Sequence, residues 1–340
     1  MADYKFGIIG VGTWGETHLK AISTQPHCEI ACICDLNEEL LKQRAEEYGI
    51  ERRTTDYKEL LADDDIMAVC VVTPDFAHRE IAVAAAEAGK HMLIEKPLAT
   101  TVEDCEAILA AVEQAGVTMM VDYHNRFNPA FVQAKAAIDA GELGELQMMS
   151  LRLSDTIYVP TGMLSWGGMS TVAWFLASHC VDLLRWLSGE EATRVYSVSR
   201  SRVLKSMGIT TPDFFHSIIE FSGGLVAHVD NSWILSTSMP TVFEFKAEIV
   251  GEKGTLFADC NSHRMLQKFT GDEAMYPDVA AQPVVQGKPV GFTIESIRHF
   301  IGCLIAGEQP AVTGHDGLMA TKIVCAIHDS AESGEPLQLA

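Results

Sequence analysis

The sequence has no long apolar run and is poor in basic residues for its length. No stretch reaches the roughly 20 uninterrupted apolar residues that a membrane-spanning helix needs. Lys and Arg together number 25 against 46 for Asp and Glu, so the formal net charge of the 340 residues is −21. A surface this acidic repels nucleic-acid phosphates and anionic lipid headgroups. We therefore expect no nucleic-acid partner and no membrane partner.

The cysteines form no metal or disulfide pattern. There are nine, an odd number; none forms a C-x-x-C pair, and several lie in apolar runs, such as Cys32, Cys34 and Cys70. This usage is typical of reduced thiols in a protein core. The twelve histidines suggest no metal site by their spacing. Residues 1–5 lead directly into a strand pattern and lack the core of a signal peptide. These features predict a cytoplasmic protein without a bound metal.

Short apolar runs alternate with helical patterns through the first third of the chain. The runs are apolar on both faces, which is typical of strands in a parallel sheet covered by helices on both sides. We therefore expect an α/β domain with a doubly wound parallel sheet over residues 1–123. The predicted strands are Phe6–Ile9, Glu29–Cys34, Met67–Val72, His91–Ile94 and Val117–Val121, and the predicted helices are Glu38–Tyr48, Ala77–Ala88, Val102–Ala115 and a segment ending near Gln25.

The pattern changes after Tyr123, where polar and apolar residues begin to alternate at period two. This alternation predicts a second, α+β domain over residues 124–340, with an open and mainly antiparallel sheet. Its predicted strands are Leu146–Leu153, Arg194–Arg200, Ser217–Phe221, Ala227–Trp233 and Phe243–Val250. Its predicted helices are Pro129–Ala140, Thr171–Leu187, Ile294–Ala306 and Asp316–Ser333.

A glycine-rich segment, Gly10-Val11-Gly12-Thr13-Trp14-Gly15, follows the first predicted strand and opens a helix. Asp35 ends the second strand, about 20 residues after Gly15. In this context the pattern predicts a dinucleotide site, because the glycines let the backbone approach a pyrophosphate at a helix N-terminus. Asp35 can accept both ribose hydroxyls of NAD and would repel the extra phosphate of NADP. NAD is therefore the favoured cofactor.

Two further candidate segments lie at the ends of predicted strands, where ligands of open parallel sheets gather. Glu95-Lys96-Pro97 ends the fifth strand, and we expect Lys96 to point into the crevice that takes the nicotinamide. Thr73-Pro74-Asp75 ends the fourth strand, and Thr73, Pro74 and the following His78 are expected along the cofactor. His78 is equally consistent with a plain helix-start residue.

The helix predicted over Thr171–Leu187 carries a candidate acid–base group, His179. Asp182 lies three residues further on the same helical face, so its carboxylate could fix the tautomer of the imidazole. A histidine opposite a nicotinamide would act as a general base, taking the hydroxyl proton as hydride leaves carbon. A lone histidine on an apolar helix is more often a core residue.

Together these motifs resemble the glucose–fructose oxidoreductase / inositol dehydrogenase (Gfo/Idh/MocA) family. The resemblance covers nearly the whole chain in order and spacing, and it implies a Rossmann domain followed by a domain whose open sheet makes homodimer or homotetramer contacts. It also implies NAD(P)-dependent oxidation or reduction of a secondary alcohol of a sugar, inositol or similar polyol. The matching segments are the glycine motif, Thr73-Pro74-Asp75 with His78, Ala88-Gly89-Lys90-His91 with Glu95-Lys96-Pro97, Asn125-Arg126-Phe127-Asn128-Pro129, His179-x-x-Asp182 and Asp316-Gly317.

The resemblance also implies roles for individual residues. Lys96 matches the family lysine that hydrogen-bonds the reacting hydroxyl, and the Lys96–Pro97 bond is often cis in the family. His179 matches the catalytic histidine, and His124 and Asn125 fall where substrate-facing residues cluster.

One position departs from the family pattern. Many members carry an Asp one helical turn before the histidine, where it orients the ring, and this chain has Phe175 there. Asp182 or another group could replace that carboxylate, or Lys96 could carry more of the acid–base work.

Further substrate contacts are expected from the aromatic and polar residues around this helix. Phe175, Trp166 and Trp174 could form an apolar wall against a sugar ring face. The loop Asp155–Pro160 could close over the substrate, with Asp155 and Tyr158 as its polar candidates.

The leading hypothesis is thus an NAD-dependent sugar or polyol dehydrogenase in which Lys96 and His179 are catalytic. Two alternatives stay open. One is an enzyme that retains its cofactor and oxidises a sugar transiently in order to eliminate a glycosidic group. The other is a catalytically inactive, dinucleotide-responsive regulatory protein, against which the presence of Lys96 and His179 argues.

Overall fold

The computed structural model describes residues 4–261 and 265–339. The first three residues of the N-terminal segment discussed above thus lie outside the described part of the chain. The chain forms two compact units, which are described separately below: Met1–His124 with Ala281–Leu318, and Asn125–Ala280 with Met319–Ala340.

The first unit contains a parallel sheet with the strand order β3–β2–β1–β4–β5–β6. The predicted doubly wound sheet is therefore confirmed, and the short strand β3 at its edge is an addition that the sequence pattern did not indicate. The strands are β1 (Tyr4–Ile9), β2 (Cys28–Cys34), β3 (Arg53–Thr54), β4 (Ala68–Val71), β5 (His91–Ile94) and β6 (Met119–Val121). The helices between them are α1 (Thr13–Ser23), α2 (Glu38–Tyr48), α3 (Tyr57–Leu61), α4 (His78–Glu87) and α5 (Val102–Ala115).

Local signals in the sequence account for where these helices begin. The side chain of Asn37 accepts a hydrogen bond from the backbone N–H of Leu40 and caps α2, and Thr101 caps α5 through the N–H of Asp104. Such caps satisfy backbone donors that the first helical turn leaves without a partner. In the two central strands, all of β4 and residues Phe6–Ile9 of β1 are buried, as their apolar runs predicted.

The second unit is built on a sheet with the strand order β12–β11–β7–β10–β9–β8–β17. Neighbouring strands pair antiparallel, except for β10 and β7, which are parallel. The mainly antiparallel sheet is therefore confirmed.

The elements that follow β6 in the chain belong to both units. In chain order they are α6 (Pro129–Asp139), β7 (Leu146–Asp155), α7 (Ser178–Ser188), β8 (Ala192–Arg200), α8 (Val203–Ser206), β9 (Phe214–Phe221), β10 (Val226–Ser232), β11 (Phe243–Gly251), β12 (Thr255–Asp259), β13 (Lys268–Phe269), β14 (Ala274–Met275), β15 (Val284–Val285), β16 (Lys288–Pro289), α9 (Phe292–Ala306), α10 (Gly314–Ser333) and β17 (Leu337–Gln338).

The segment Ala281–Leu318 returns to the first unit, whereas the sequence pattern assigned all of residues 124–340 to a second domain. Helix α9 packs against α1, and its buried face includes Ile297 and Phe300. The Oγ1 of Thr17 in α1 also donates to Oε1 of Gln282 at 3.1 Å. An apolar helix late in the chain can pack against the unit that the first residues form. The hydrophobic periodicity of a helix does not indicate which unit its apolar face packs against.

The helix predicted over Thr171–Leu187 begins differently in the structure. Residues Ala173–Ala177 form a π-helical turn, and α7 continues from Ser178. A π turn holds an extra residue compared with an α turn, and such turns are frequent at functional sites. The predicted continuous α-helix is therefore wrong in its first turns. Among the described residues, no helix is both long enough and apolar enough to cross a bilayer.

Candidate active site

The glycine loop has the geometry of a phosphate-binding turn. Gly10 has a φ of +94°, and a Cβ there would lie 2.3 Å from the carbonyl oxygen of Val72. A Cβ on Gly15 would lie 2.2 Å from the carbonyl oxygen of Gly10. Gly12 differs, because a Cβ there would meet nothing within 4 Å. Gly10 and Gly15 therefore serve the packing of the turn, whereas Gly12 faces open space at the start of α1.

Asp35 is fixed beside this loop at the end of β2. Its Oδ2 accepts a hydrogen bond from the backbone N–H of Val11 at 2.8 Å, and its Oδ1 accepts one from Asn37 at 2.9 Å. A carboxylate has about four acceptor positions, so lone pairs remain for ribose hydroxyls. The structure thus brings together the two predicted halves of the dinucleotide site.

The end of β4 presents a polar group toward the same edge of the sheet. The Oγ1 of Thr73 is buried and has no hydrogen-bond partner among the described residues. Buried hydroxyls are normally hydrogen-bonded, so a ligand atom would satisfy it. Together with the open space at Gly12 and the fixed Asp35 carboxylate, this fits a bound dinucleotide. Thr13 is exposed, and Trp14 and Pro74 are half-buried, as neighbours of such a ligand.

His78 braces the site rather than facing solvent. It is fully buried, its Nε2 lies 2.9 Å from the carbonyl oxygen of Thr73, and its Nδ1 lies 2.8 Å from that of Pro97. Both ring nitrogens therefore contact backbone carbonyls. The side chain ties the end of β4 to the Lys96–Pro97 turn, whose peptide bond is cis as the resemblance implies.

Lys96 follows β5 and is only 8% exposed. Glu95 beside it is also buried, and its Oε2 accepts a hydrogen bond from the backbone N–H of Lys96 at 3.3 Å. Burial of a lysine is costly unless negative groups surround it. The carboxyl groups of Glu95 and Asp122 are the neighbours that can supply negative charge to Lys96.

Next to Lys96 in the chain, Glu95 belongs to a group of four buried side chains. We define this acid–base cluster as His18, Glu95, Asp122 and Ser296. Nε2 of His18 lies 3.1 Å from Oε1 of Glu95 and 3.8 Å from Oδ2 of Asp122. The hydroxyl of Ser296 donates to Oδ1 of Asp122. The ring nitrogen and the two carboxylates offer ligand-type atoms within 4.8 Å of one another. Because the imidazole already hydrogen-bonds Glu95, the arrangement is that of a hydrogen-bonded acid–base network.

The cluster shifts the pKa values of its members in opposite directions. Burial raises the pKa of Asp122 to about 7, and the Glu95 carboxylate adds to this shift. Burial opposes ionisation of Glu95, but the hydrogen bond from His18 and the nearby positive charge of His18 and Lys96 together outweigh it and lower the Glu95 pKa. Burial also opposes the imidazolium of His18, yet Cys70 and Glu95 hold its pKa well above the ordinary value. Between about pH 5 and 7 the cluster therefore holds one carboxylate, one imidazolium and one carboxylic acid.

His124, a predicted substrate-facing residue, lies in an aromatic stack within the first unit. Its ring stacks on Trp14 of the glycine loop, with 5.3 Å between centroids, and lies 5.7 Å from that of Phe292. Burial lowers the pKa of His124 to about 4, and the nearby charge of Lys96 also disfavours the imidazolium. His124 is therefore a neutral ring at physiological pH.

In the second unit, His179 is buried in the first turn of α7. Nδ2 of Asn125 lies 3.2 Å from Nδ1 of this ring. Asp182 forms a two-point ion pair with Arg126, from Nε to Oδ2 at 2.9 Å and from Nη2 to Oδ1 at 2.6 Å. The group beside Nδ1 of His179 is therefore the amide of Asn125. The sequence had suggested the carboxylate of Asp182 for this position.

The other predicted substrate residues differ in their surroundings. Trp166 and Phe175 form an edge-on ring pair with 6.3 Å between centroids, which fits the predicted apolar wall. The ring of Trp174 stacks on that of His328, with 5.1 Å between centroids. The place of Trp174 in the wall stays a prediction. Asp155 is buried, and Tyr158 is 49% exposed.

The acid–base cluster and the Asn125 contact of His179 were not predicted from the sequence. His18 and Asp122 are more than a hundred residues apart, and only the parallel sheet brings them together. The buried face of α1 and the end of β6 were visible in the sequence, but their juxtaposition was not.

A parallel sheet in this strand order, with a glycine loop opening α1 and an acidic residue ending β2, defines a dinucleotide-binding Rossmann domain. Residues 4–123 match the model of the oxidoreductase family with an NAD-binding Rossmann fold, and residues 131–257 match the GFO/IDH/MocA C-terminal domain. The chain belongs to the Gfo/Idh/MocA family of NAD-binding oxidoreductases.

Individual relatives align over nearly the full length. The chain is 30% identical to the uncharacterized oxidoreductase YrbE of Bacillus subtilis, covering 98% of this chain and 96% of YrbE. It is 29% identical to scyllo-inositol 2-dehydrogenase (NAD(+)) of the same organism, covering 98% and 95%. The crystal structure of scyllo-inositol dehydrogenase from Lactobacillus casei, with NAD(H) and scyllo-inositol, superposes with a TM-score of 0.84 at 20% identity, covering 98% of both chains.

Proposed function

We propose that this protein is an NAD-dependent dehydrogenase of a secondary alcohol in inositol, a related cyclic polyol or a sugar. The observation that carries the proposal is the buried Lys96, held at the end of β5 by Glu95, in a chain with an NAD-binding fold. The alignment with scyllo-inositol 2-dehydrogenase supports the substrate class.

NAD would be held by the residues predicted from the sequence. The N–H groups at the start of α1, beside Gly12, Thr13 and Trp14, would bind the pyrophosphate. Asp35 would accept the ribose hydroxyls. When bound, NAD supplies the hydride acceptor for the carbinol carbon. The other proposed cofactor contacts are Gly10, Gly15, Thr73, Pro74, His78, Glu95 and Lys96.

Lys96 and His179 would act on the reacting hydroxyl. A cation or neutral amine at Nζ of Lys96 can hydrogen-bond the substrate oxygen and exchange its proton, and the imidazole of His179 supplies a second polar contact. The ring pair of Trp166 and Phe175 would cover an apolar face of the substrate. His124, Asn125, Asp155 and Tyr158 are the remaining proposed substrate contacts.

The decisive experiment is to incubate the purified protein with NAD and a panel of inositols and sugars while following NADH formation. We expect stoichiometric NADH with at least one cyclic polyol or sugar. The proposal fails if NAD neither binds nor is reduced. Cofactor that co-purifies with the protein, with cleavage of a glycoside and no net NADH, would replace it with the retained-cofactor elimination.

We also propose that the protein is a cytoplasmic homodimer or homotetramer that associates through the open sheet face. No disulfide joins any of the cysteines, all of which lie in the described residues. On the sheet, Tyr196 and Ile218 pair across β8 and β9 and are 41% and 40% exposed. Adjacent exposed apolar side chains of this kind are typical of an interaction surface.

A further inference from the structure

A single carboxylate joins two segments of the first unit. Oε1 of Glu95 accepts from Nε2 of His18 in α1 at 3.1 Å, and Oε2 accepts from the backbone N–H of Lys96 at 3.3 Å. All three residues belong to the first unit and are buried. A side chain that makes both contacts restricts the motion of each segment relative to the other. Glu95 therefore ties the backbone of Lys96 to α1.

The contact between His18 and Glu95 is charge-assisted. Burial opposes the imidazolium of His18, but Cys70 and Glu95 hold its pKa well above the ordinary value. The pKa of Glu95 is lowered in spite of burial, so its carboxyl group is ionised at neutral pH. Hydrogen bonds between ionised partners are roughly twice as strong as those between neutral groups. Replacing His18 by an apolar residue would leave a buried carboxylate without this donor.

The other carboxyl group of the cluster does not compete for the imidazole. Oδ2 of Asp122 lies 3.8 Å from Nε2 of His18, beyond the usual hydrogen-bond distance. Oδ1 of Asp122 accepts from the hydroxyl of Ser296 in α9. Burial raises the pKa of Asp122 to about 7, so below that pH the group is an uncharged acid beside the ring. The Nε2–H of His18 is therefore left to Glu95.

His18 can influence a ligand only through its neighbours. Its side chain has no exposed surface, so the ring reaches neither a bound cofactor nor a substrate. It lies on α1 one helical turn after Gly15 of the glycine loop, and the N-terminus of this helix is the proposed pyrophosphate site. The series of contacts from α1 to Lys96 thus passes through His18 and Glu95.

We propose that His18 is a positioning residue, which holds the backbone of Lys96, through Glu95, at a fixed distance from the N-terminus of α1. This inference rests on the proposed dehydrogenase function, in which that N-terminus binds the pyrophosphate and Lys96 hydrogen-bonds the reacting oxygen. His18 neither gives nor takes a proton in the reaction. Catalysis is sensitive to small displacements of an orienting group, whereas NAD keeps its own contacts at Gly12 and Asp35. Loss of His18 should therefore slow turnover and leave the binding of NAD nearly unchanged.

The kinetic test compares two replacements of His18. Leucine removes the donor, so His18→Leu should lower kcat by roughly 10-fold, the scale of one lost hydrogen bond, while the Kd for NAD stays within a few-fold of the parent value. Glutamine carries an N–H at a similar distance from the backbone as Nε2, so His18→Gln should recover most of that kcat. Equal losses of kcat in the two variants would refute the positioning role, and so would full kcat in His18→Leu.

Two further variants separate this effect from a general loss of stability. Ile22→Val removes a buried methyl group from α1, so it should lower stability while kcat stays at the parent value. His18→Asn keeps an amide that is too short to reach Glu95. It should lose kcat as His18→Leu does, and it replaces that variant if the leucine variant does not fold. A loss of kcat in Ile22→Val as large as in His18→Leu would assign the effect to stability and overturn the inference.

A double-mutant cycle shows whether His18 acts through Glu95. Glu95→Gln removes the carboxylate, so adding His18→Leu to it should cost little further kcat. Losses of kcat that multiply in the double variant would mean that the two residues act independently, and this would contradict the inference.

A measurement without substrate separates this inference from the dehydrogenase assignment. The protein is labelled with ¹⁵N-histidine, and the His18 signals are assigned by their loss in His18→Gln. At about pH 6 both ring nitrogens should be of the protonated type, and in Glu95→Gln the ring should lose its charge at lower pH than in the parent. An unprotonated Nε2 in the parent would overturn the inference. Failure of the dehydrogenase assignment would appear instead as absent NADH formation by the parent.

Discussion

The carboxylate of Asp35 and the backbone N–H of Val11 are joined by a hydrogen bond of 2.8 Å. This contact connects the end of β2 to the glycine loop and fixes the acidic group before any ligand binds. Preorganisation of this kind lowers the entropic cost of binding. The glycines of the loop differ in the space around them, so substitutions can distinguish their roles.

Gly12→Ala should weaken NAD binding with little effect on folding. A Cβ at Gly12 has no neighbour within 4 Å, so the free energy of unfolding should change by less than about 0.5 kcal/mol. The methyl group would occupy the space that the pyrophosphate needs, and the Kd for NAD should rise at least about 10-fold.

Gly10→Ala is the comparison for that variant, because its Cβ would collide with the carbonyl of Val72 and its φ is +94°. Its free energy of unfolding should fall by about 1–3 kcal/mol or more. Chemical denaturation and calorimetric titration with NAD measure both quantities. Equal NAD affinity in Gly12→Ala and the parent would contradict the placement of the pyrophosphate.

Lys96→Ala should lower kcat/KM by about 10²–10⁴-fold, because a group that exchanges the hydroxyl proton is removed. The Kd for NAD should stay within a few-fold of the parent value. Steady-state kinetics with the preferred polyol and binding of NAD without substrate provide the two measurements. Lys42→Ala, on the exposed face of α2, is the matched control and should retain full activity. Full activity of Lys96→Ala would remove Lys96 from the mechanism.

Asp122→Asn should change how stability depends on pH. The folded state raises the pKa of Asp122 to about 7 from 3.8, so the folded protein holds this proton more tightly than the unfolded chain. The resulting stabilisation is fully present below the lower of these values and is lost as pH rises through the higher one. The parent-minus-variant difference in the free energy of unfolding should therefore fall by about 1–3 kcal/mol between about pH 5 and 7.

Denaturant titrations at several pH values measure that difference. In the same window Glu95 stays ionised, because its pKa is lowered. Asp64→Asn changes an exposed carboxylate of the same unit and serves as the control. A parent-minus-variant difference that does not vary with pH would show that Asp122 is not protonated in the folded protein.

Ile218→Lys should dissociate the proposed oligomer. The substitution places a charge on the sheet face beside Tyr196, and desolvating it in an interface is costly. Light scattering should report a multiple of 37.1 kDa for the parent and 37.1 kDa for the variant. Val132→Lys alters a similarly exposed apolar residue on α6 and should leave the mass unchanged. A monomeric parent would refute association through this face.

Much of the fold was predictable because its signals are local. The helices Glu38–Tyr48 and Val102–Ala115 have the predicted bounds, since a capping side chain precedes each and a glycine follows it. The π turn at Ala173–Ala177 was not predictable, because its residues are also compatible with an α-helix. Likewise, nothing local in Phe292–Ala306 indicates that it covers α1.

The sequence by itself determined the two kinds of sheet, the glycine loop with Asp35, and the position of Lys96 after a buried strand. These depend on periodicity and spacing within a few tens of residues. Only the tertiary structure decided that His18 and Asp122 share one cluster, and that Asn125 rather than Asp182 faces Nδ1 of His179. Such contacts join residues far apart in the chain, and their geometry follows from packing, which one-dimensional patterns do not encode.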